Sequence, residues 1–272
     1  MVCYLINKKS LIMPYIQVYS HQNIYYEQIQ GDTRKPILVF LHEALGCIEM
    51  WKNVPNYLCE KTGYRGLVYD RIGFGKSSDL NKNRTINYLH DSALNELPLV
   101  LSLAIPNQEY ILVGHSDGGS IALIHASEQP ELLKAIITEA AHVFVENETI
   151  KGIKLAKSAW LQGKLDGLNR YHGEKTESLF LAWANTWLNN GFKYWNIEYL
   201  LPSINCPIFA IQGSDDQYGT EKQLNLITSL IPKNATSEMV QNCGHTPHKD
   251  EKEKIIHIMS NFIILVTSNS EA

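Results

Sequence analysis

A serine stands between two glycines in the segment Gly114-His115-Ser116-Asp117-Gly118, which fits the pattern G-x-S-x-G. An apolar run precedes the segment and a helical pattern follows it, so Ser116 is predicted on a sharp strand-to-helix turn. Such a turn strains the backbone and brings it close to other backbone, which glycine tolerates best. It exposes the Ser116 hydroxyl and places the N–H of Asp117 at a helix N-terminus, where it can bind an oxyanion. We interpret Ser116 as a nucleophile; the alternative is a glycine-rich turn that only caps the helix.

A serine hydroxyl is a poor nucleophile without a base, and the base needs an acid that orients it. On a strand-turn-helix scaffold the acid and the histidine follow the serine in that order. The late segment GSDDQYGT contains Asp215 and Asp216, and the later segment NCGHTPHKD contains His245 and His248. We assign His245 as the base, because it follows a late strand with a glycine beside it, and Asp216 as the acid. Asp215 is interpreted as a turn or capping residue, and His248 is the nearest rival to His245.

Strand patterns and helical patterns alternate along most of the chain. Buried strands are predicted at KPILVFLHE, RGLVYDRIG, EYILVGHS, LLKAIITEA and CPIFAIQGSDD, after two short strands that meet at a turn near His21. Continuous apolar runs of this kind are typical of parallel strands covered on both faces. A helix is predicted over roughly 50–62, and another begins with Thr85 as its N-cap and is interrupted at Pro98. The pattern predicts an α/β fold, with a mostly parallel central sheet and helices on both faces.

The alternation stops between residues 142 and 203, where the sequence is amphipathic and aromatic and contains no buried-strand pattern. We predict a helical insertion, so that residues 1–141 and 204–272 form the core domain and residues 142–203 form a cap over the site. Most aromatic residues of such a segment are expected in its own small core. The candidates for contact with a substrate are Glu43, before the insertion, and His142, Phe144, Trp183 and Trp187 within it.

Five segments, in order, resemble the motifs of the α/β-hydrolase superfamily, in the branch with a helical cap between the sixth and seventh strands of its sheet. They are VFLHEALG, DRIGFGKSS, GHSDGG, GSDD and GHTPH. The resemblance extends from about Tyr15 to the C-terminus. It implies the α/β-hydrolase fold and a catalytic triad of Ser116, His245 and Asp216. It also implies that the second oxyanion N–H belongs to Ala44, beside that of Asp117.

This chain departs from the superfamily where most members have His-Gly, because it has His42-Glu43. Glu43 cannot adopt glycine-only backbone angles cheaply. A carboxylate beside the site would raise the pKa of the site's histidine. The alternative is that Glu43 turns into a hydrogen-bonded structural role, with Gly46 supplying flexibility to the loop. His115, beside the nucleophile, is interpreted as a packing residue.

Asp117 is also unusual, because the residue after the elbow serine is often apolar in the superfamily. The elbow SDGG resembles that of valacyclovirase-like members, which implies that Asp117 receives a substrate's ammonium group. The alternative is a favourable charge at a helix N-terminus, worth roughly 0.3–1 kcal/mol.

Composition excludes several other classes of function. The chain has 272 residues, a net charge of −4 and 44% hydrophobic residues, which favours a globular protein without affinity for nucleic acid or membranes. Its five cysteines are scattered without a CxxC pair, which predicts neither disulfides nor a metal site and fits the cytoplasm. No cofactor motif is present, so the expected partner is a small-molecule substrate, and a monomer or homodimer is expected. Translation starts at Met1 or Met13.

These residues predict acyl transfer, in which Ser116 attacks a carbonyl, His245 takes its proton and water later releases the acyl-enzyme. The predicted activity is the hydrolysis of a small carboxylic ester. Alternatives on the same triad are a C–C bond hydrolase or lyase, a lactonase and a thioesterase. The single arginine of the cap, Arg170, disfavours a dicarboxylate substrate of a C–C hydrolase. An alternative of another class is a non-catalytic ligand receptor on the same scaffold.

Overall fold

The computed structural model describes residues 14–81, 83–231 and 233–268. The choice between Met1 and Met13 as the start lies outside these residues. The described chain forms an eight-stranded sheet in the order β1-β2-β4-β3-β5-β6-β7-β8. The two strands β1 and β2 pair antiparallel with each other, and β2 pairs antiparallel with β4. All other neighbouring strands pair parallel, as predicted.

The strands of the sheet are β1 (Tyr15–Tyr19), β2 (Gln22–Ile29), β3 (Asp32–Leu41), β4 (Tyr64–Tyr69), β5 (Tyr110–His115), β6 (Leu133–Glu139), β7 (Ile208–Gly213) and β8 (Ala235–Val240). The helices are α1 (Val54–Thr62), α2 (Tyr88–Asp91), α3 (Leu97–Ala104), α4 (Asp117–Ser127), α5 (Asn147–Leu161), α6 (Asn169–His172), α7 (Thr176–Trp187), α8 (Glu221–Leu230), α9 (Pro247–Asp250) and α10 (Lys252–Ser268). Each predicted buried strand coincides with a strand of this sheet.

Side chains of the central strands alternate between two hydrophobic cores, one on each face of the sheet. From β3, Val39 and Leu41 belong to the core that includes residues of α3, α4 and α8. Leu38 and Phe40 belong to the other core, beneath α1 and α10. Because both faces are covered, the strands carry apolar residues at successive positions, as from Ile37 to Leu41 of β3. The predicted α/β fold with helices on both faces is confirmed.

The helix predicted around Pro98 differs in detail from the structure. It begins at Tyr88 with Asn87 at the N-cap, and Thr85 instead accepts a hydrogen bond from the Asn87 N–H. Residues 92–96 form a π-helical stretch between α2 and α3. Pro98 has no N–H for the carbonyl one turn earlier, and the widened turn accommodates that missing bond.

Residues 142–203 connect the ends of β6 and β7 and contain α5, α6, α7 and several short 3₁₀ turns. Within the described chain, these residues contain no strand of the sheet; their one β-type pairing is an isolated bridge between Phe144 and Asn196. Among the described helices, none combines the length and the apolar character needed to cross a membrane.

Candidate active site

Ser116 lies at the sharp turn between β5 and α4. Its backbone angles are φ 53° and ψ −116°, a conformation that costs a non-glycine residue about 1–3 kcal/mol. The turn is held on its strand side by the hydrogen bond from the Ser116 N–H to the Glu139 carbonyl of β6, at 2.8 Å. On its helix side the Ser116 carbonyl accepts the N–H groups of Gly119 and Ser120. The neighbouring elements therefore impose the strained conformation on the serine.

The two glycines of the motif are required by close backbone approach. A Cβ on Gly114 would lie 2.3 Å from the Gly118 carbonyl oxygen, and a Cβ on Gly118 would lie 1.9 Å from the Leu41 carbonyl oxygen. Both distances are far inside van der Waals contact with backbone that cannot easily move. The glycines thus allow α4 to start directly against β3 and β5.

Ser116, His245 and Asp216 form a continuous hydrogen-bonded row. The Ser116 hydroxyl lies 2.9 Å from Nε2 of His245, and Nδ1 of His245 lies 2.9 Å from both carboxylate oxygens of Asp216. Because the carboxylate accepts only, Nδ1 carries the proton and Nε2 is free to accept the serine proton. This is the arrangement in which an imidazole acts as a general base toward a serine.

The surroundings of Asp216 keep it ionised. Its side chain is fully buried, and its oxygens also accept the Gln212 amide at 2.6 Å and the Tyr218 N–H at 2.8 Å. Burial alone would raise the pKa of this carboxyl, but the charge and hydrogen bond of His245 outweigh it and lower the pKa.

A small cavity of about 110 Å³ opens beside the Ser116 hydroxyl. Ala44 and Asp117, the predicted oxyanion donors, line it together with Ser116 and His245. Asp117 is the first residue of α4, so its N–H has no carbonyl one turn earlier to bond within the helix. The remaining lining residues are Glu43, Leu45, His142, Thr149, Ile153, Trp183, Trp187 and Tyr218.

Sequence comparison adds to this geometry. The sequence model of the alpha/beta hydrolase fold matches residues 36–193, more than half of the chain. The chain belongs to the alpha/beta hydrolase fold family. It is similar to the proline iminopeptidase of Saccharolobus solfataricus, at 31% identity over 90% of this chain and 90% of the relative.

Solved structures agree on the fold of this alpha/beta hydrolase. A carboxylesterase structure from Nitrososphaera gargenis superposes with a TM-score of 0.73 at 22% identity, covering 94% of this chain and all of the other. An esterase from Exiguobacterium antarcticum gives a TM-score of 0.71 at 20% identity, covering 92% of this chain and 98% of the other. At such identities the likeness concerns the fold alone.

The predicted pocket residues of this alpha/beta hydrolase divide into two groups. Glu43, His142, Trp183 and Trp187 line the cavity. The structure does not bring Phe144 to the cavity wall: its backbone pairs with Asn196, and its side chain packs against the core.

Other cavity residues were missed by sequence reasoning. Tyr218 lies two residues after the acid, and its ring packs edge-on against His245 with centroids 4.8 Å apart. Its position two residues after Asp216 could have indicated that it lies near the site. Leu45, Thr149 and Ile153 carry no chemical motif, so only the fold reveals them.

His248 and Asp215, the alternatives to His245 and Asp216, do not take part in the hydrogen-bonded row. His248 is buried, with Nδ1 2.5 Å from Oε2 of Glu139 and its ring against Trp51. Asp215 is exposed and accepts the Ser214 hydroxyl at 3.1 Å, as expected of a turn residue. Among the described residues, no group of three or more His, Cys, Asp or Glu side chains is arranged to hold a metal ion.

Glu43 occupies the family's glycine position without backbone strain, since it is not among the described residues with positive φ. Its carboxylate folds over Gly46, where an added Cβ would lie 2.3 Å from Oε2. Gly46 also has no positive φ, so it provides space for this carboxylate rather than the flexibility expected from the sequence. Oε2 lies 3.5 Å from Nδ1 of His115. The histidine that the carboxylate faces is therefore His115.

The side chain of Asp117 points into a buried polar network. Oδ2 accepts the Tyr88 hydroxyl at 2.8 Å, and that hydroxyl accepts the Trp187 indole N–H at 2.7 Å. Arg71 places Nη1 3.9 Å from Oδ2, and its Nη2 donates to the carbonyls of His42 and Glu43. Asp117 is thus tied both to α7 and, through Arg71, to the loop that carries Ala44.

We expect Gly118→Ala to lower the free energy of unfolding by about 1–3 kcal/mol or more, because the new methyl group collides with the Leu41 carbonyl. Urea unfolding measures the change. Gly167→Ala is the matched control, since no atom lies within 4 Å of its added Cβ, and we expect it within about 0.5 kcal/mol of wild type. Equal stability of the two variants would contradict the described elbow.

We expect Tyr88→Phe to lower the free energy of unfolding by about 1–3 kcal/mol, because buried polar groups of Asp117 and Trp187 lose their partner. Tyr194→Phe, which removes the hydroxyl of a tyrosine that is 81% exposed, serves as control and should be neutral. A Tyr88→Phe variant as stable as this control would show that the network contributes nothing.

Proposed function

We propose that this alpha/beta hydrolase is a serine hydrolase that cleaves small carboxylic esters through an acyl-enzyme. The observation that carries the proposal is the hydrogen-bonded row of Ser116, His245 and Asp216 beside a small cavity. In the proposed mechanism Ser116 attacks the ester carbonyl and His245 takes the serine proton, then donates it to the leaving alcohol. The N–H groups of Ala44 and Asp117 stabilise the oxyanion, and water activated by His245 releases the acid.

We further propose that residues 142–203 act as the cap of this site. Thr149 and Ile153 of α5 and Trp183 and Trp187 of α7 line the cavity, which supports this role. His172 of α6 also supports it, because Nε2 lies 2.9 Å from the Leu45 carbonyl oxygen in the predicted oxyanion loop. On this proposal the core supplies the reacting groups and the cap selects the substrate.

The cavity favours a short acyl group over a long or charged one. Its wall is mostly apolar, and within the described chain it carries no arginine or lysine. Arg170 is exposed and lies over the ring of Tyr171, away from the cavity wall. A dicarboxylate substrate, as in the C–C hydrolase alternative, would therefore lack a cation to bind.

A second candidate function is the cleavage of substrates with a free amine. The named relative is a proline iminopeptidase, and Oδ1 of Asp117 is buried without a hydrogen-bond partner among the described residues. An ammonium group at this carboxylate would compete with Arg71, 3.9 Å away. Glu43, the other carboxylate of the cavity wall, faces His115. We favour the ester because both carboxylates already have a basic side chain of the protein beside them.

We expect Ser116→Ala to reduce kcat toward p-nitrophenyl acetate by at least about 10⁴-fold, as loss of a triad nucleophile does. The same assay with proline p-nitroanilide tests the second candidate. Ester turnover without anilide turnover supports the ester hydrolase, and the reverse supports the aminopeptidase. Ser116→Ala with wild-type activity, or a wild type inert to both substrates and to fluorophosphonates, would contradict a serine hydrolase.

We expect kcat/KM for p-nitrophenyl acetate to exceed that for the octanoate by about 10-fold or more, because added methylenes do not fit the cavity. Trp183→Ala should reduce or reverse this preference by enlarging the cavity. Trp160→Ala is the matched control, because Trp160 stacks on Phe180 and does not line the cavity. If both tryptophan variants keep the wild-type preference, the cavity does not select the acyl group.

A further inference from the structure

His115, the residue before the nucleophile, lies between two hydrogen-bond acceptors from distant parts of the chain. Nε2 is 2.7 Å from the backbone carbonyl oxygen of His245, and Nδ1 is 3.5 Å from Oε2 of Glu43. The His115 side chain is 1% exposed, so water cannot take the place of either acceptor. A residue expected to serve packing alone is thus flanked by polar atoms on both ring nitrogens.

The positions of these two oxygens favour a doubly protonated ring. A neutral imidazole has one N–H and one lone pair, so it would turn a lone pair toward either a carbonyl or a carboxylate. Only the doubly protonated imidazolium turns an N–H toward both: it donates a hydrogen bond to the carbonyl, and it forms an ion pair with the carboxylate, whose 3.5 Å separation from Nδ1 is too long for a hydrogen bond. The ring is therefore expected to carry a positive charge, balanced by Glu43.

The electrostatics agree with this proton count. Burial would lower the pKa of His115, but Glu43, Glu139 and the His245 carbonyl outweigh it and raise the pKa above its usual range. Burial would likewise raise the pKa of the Glu43 carboxyl, but His115 and Lys249 outweigh it and lower the pKa. The other titratable groups that face the His115 ring are the rings of His245 and His248, with centroids 5.2 and 5.0 Å away.

We propose that the buried Glu43–His115 ion pair is a positioning device that fixes the reacting groups relative to one another. This inference rests on the proposed serine hydrolase function. Glu43 directly precedes Ala44, the proposed oxyanion donor, and His115 directly precedes Ser116. The hydrogen bond from His115 ends on the backbone of His245, the proposed base. One pair of side chains therefore connects the three segments whose spacing sets the chemistry.

The spacing matters because proton transfer and oxyanion binding both require hydrogen-bond contact. A displacement of about 1 Å in such a site can cost about 10²-fold in rate. Without the bridge, the His245 loop keeps the triad bonds themselves, but its backbone loses a buried anchor directly beneath the base. The ion pair is thus expected to affect the rate of the chemical step more than the binding of substrate.

A packing role and a positioning role predict different results at His115. The ring contacts His248 edge-on and lies near Trp51, so a phenyl group would fill the same space. His115→Phe therefore preserves packing and removes both the hydrogen bond to the His245 carbonyl and the ion pair with Glu43. In His115→Gln the side-chain amide N–H can donate to the His245 carbonyl in place of Nε2–H. In Glu43→Gln the ion pair is absent, while a neutral ring can still donate from Nε2 to the His245 carbonyl.

The test is the measurement of kcat and KM for p-nitrophenyl acetate between pH 6 and 9. We expect His115→Phe to lower kcat by about 10- to 100-fold with KM within about twofold of wild type. His115→Gln should restore most of the loss. His125→Phe is the matched control, because His125 is also buried but bonds to Tyr110 and Ala93, and its kcat should be unchanged.

The dependence of kcat on pH distinguishes an effect of the charge on the His115 ring from an effect of its packing. A raised pKa means that the imidazolium persists at neutral pH and is lost as the pH rises through that value. Wild-type kcat should therefore fall on the alkaline side as the ring loses its charge and, with it, the ion pair with Glu43. In Glu43→Gln this alkaline fall should disappear, because this variant has no ion pair to lose at any pH.

Two results would overturn the inference. One is wild-type kcat in His115→Phe across the whole pH range. The other is an alkaline fall that Glu43→Gln leaves in place; this comparison decides the question even if His115→Phe fails to fold. Ser116→Ala in the same assay separates this failure from a failure of the proposed function. If Ser116→Ala is inactive and His115→Phe is fully active, only the positioning role of the ion pair is contradicted. If Ser116→Ala is active, both the serine hydrolase function and the positioning role are contradicted.

Discussion

The structure depends on one strained backbone turn, at Ser116, where φ is 53°. The conformation costs free energy that the neighbouring elements offset, because β5 is hydrogen-bonded in register to β3 and β6 on either side. Close approach is part of the same constraint, since α4 begins so near β3 that Gly118 has no room for a side chain. The Ser116 hydroxyl and the N–H of Asp117 are both placed beside the cavity by this turn.

The buried carboxylates near the site each lie beside a basic side chain. Glu43 faces His115, Glu139 bonds His248, and Asp117 lies beside Arg71. An unpaired charge at such depth would be strongly destabilising, so each carboxylate needs its partner. The pairs also connect segments far apart in the chain: Arg71 links the elbow to the loop after β3, and His115 links that loop to the segment of the base. The carboxylates near the cavity therefore join backbone segments that are distant in the sequence.

The sequence could predict the fold because its patterns are local, and local patterns also pointed to the three residues of the row. Apolar runs identify buried strands, and the G-x-S-x-G segment identifies the turn because an apolar run precedes it and a helical pattern follows it. The sequence could not predict why residue 46 is a glycine. The Glu43 carboxylate folds over that position and leaves no room for a side chain, and this contact is visible only in the structure. Tyr88 was missed because its partners, Asp117 and Trp187, are 29 and 99 residues away in the chain. Phe144 lies outside the cavity because of its bridge to Asn196, a contact with no trace in local periodicity.

The central claim is that the Ser116 hydroxyl is an activated nucleophile, with His245 2.9 Å away as its base. The most direct measurement is the rate of covalent labelling by a fluorophosphonate, with the modified peptide identified by mass spectrometry. The account predicts one phosphonyl group per chain, carried by Ser116, and labelling slowed by at least about 10²-fold in His245→Gln. Modification of another residue, or equal labelling rates in the two proteins, would contradict it.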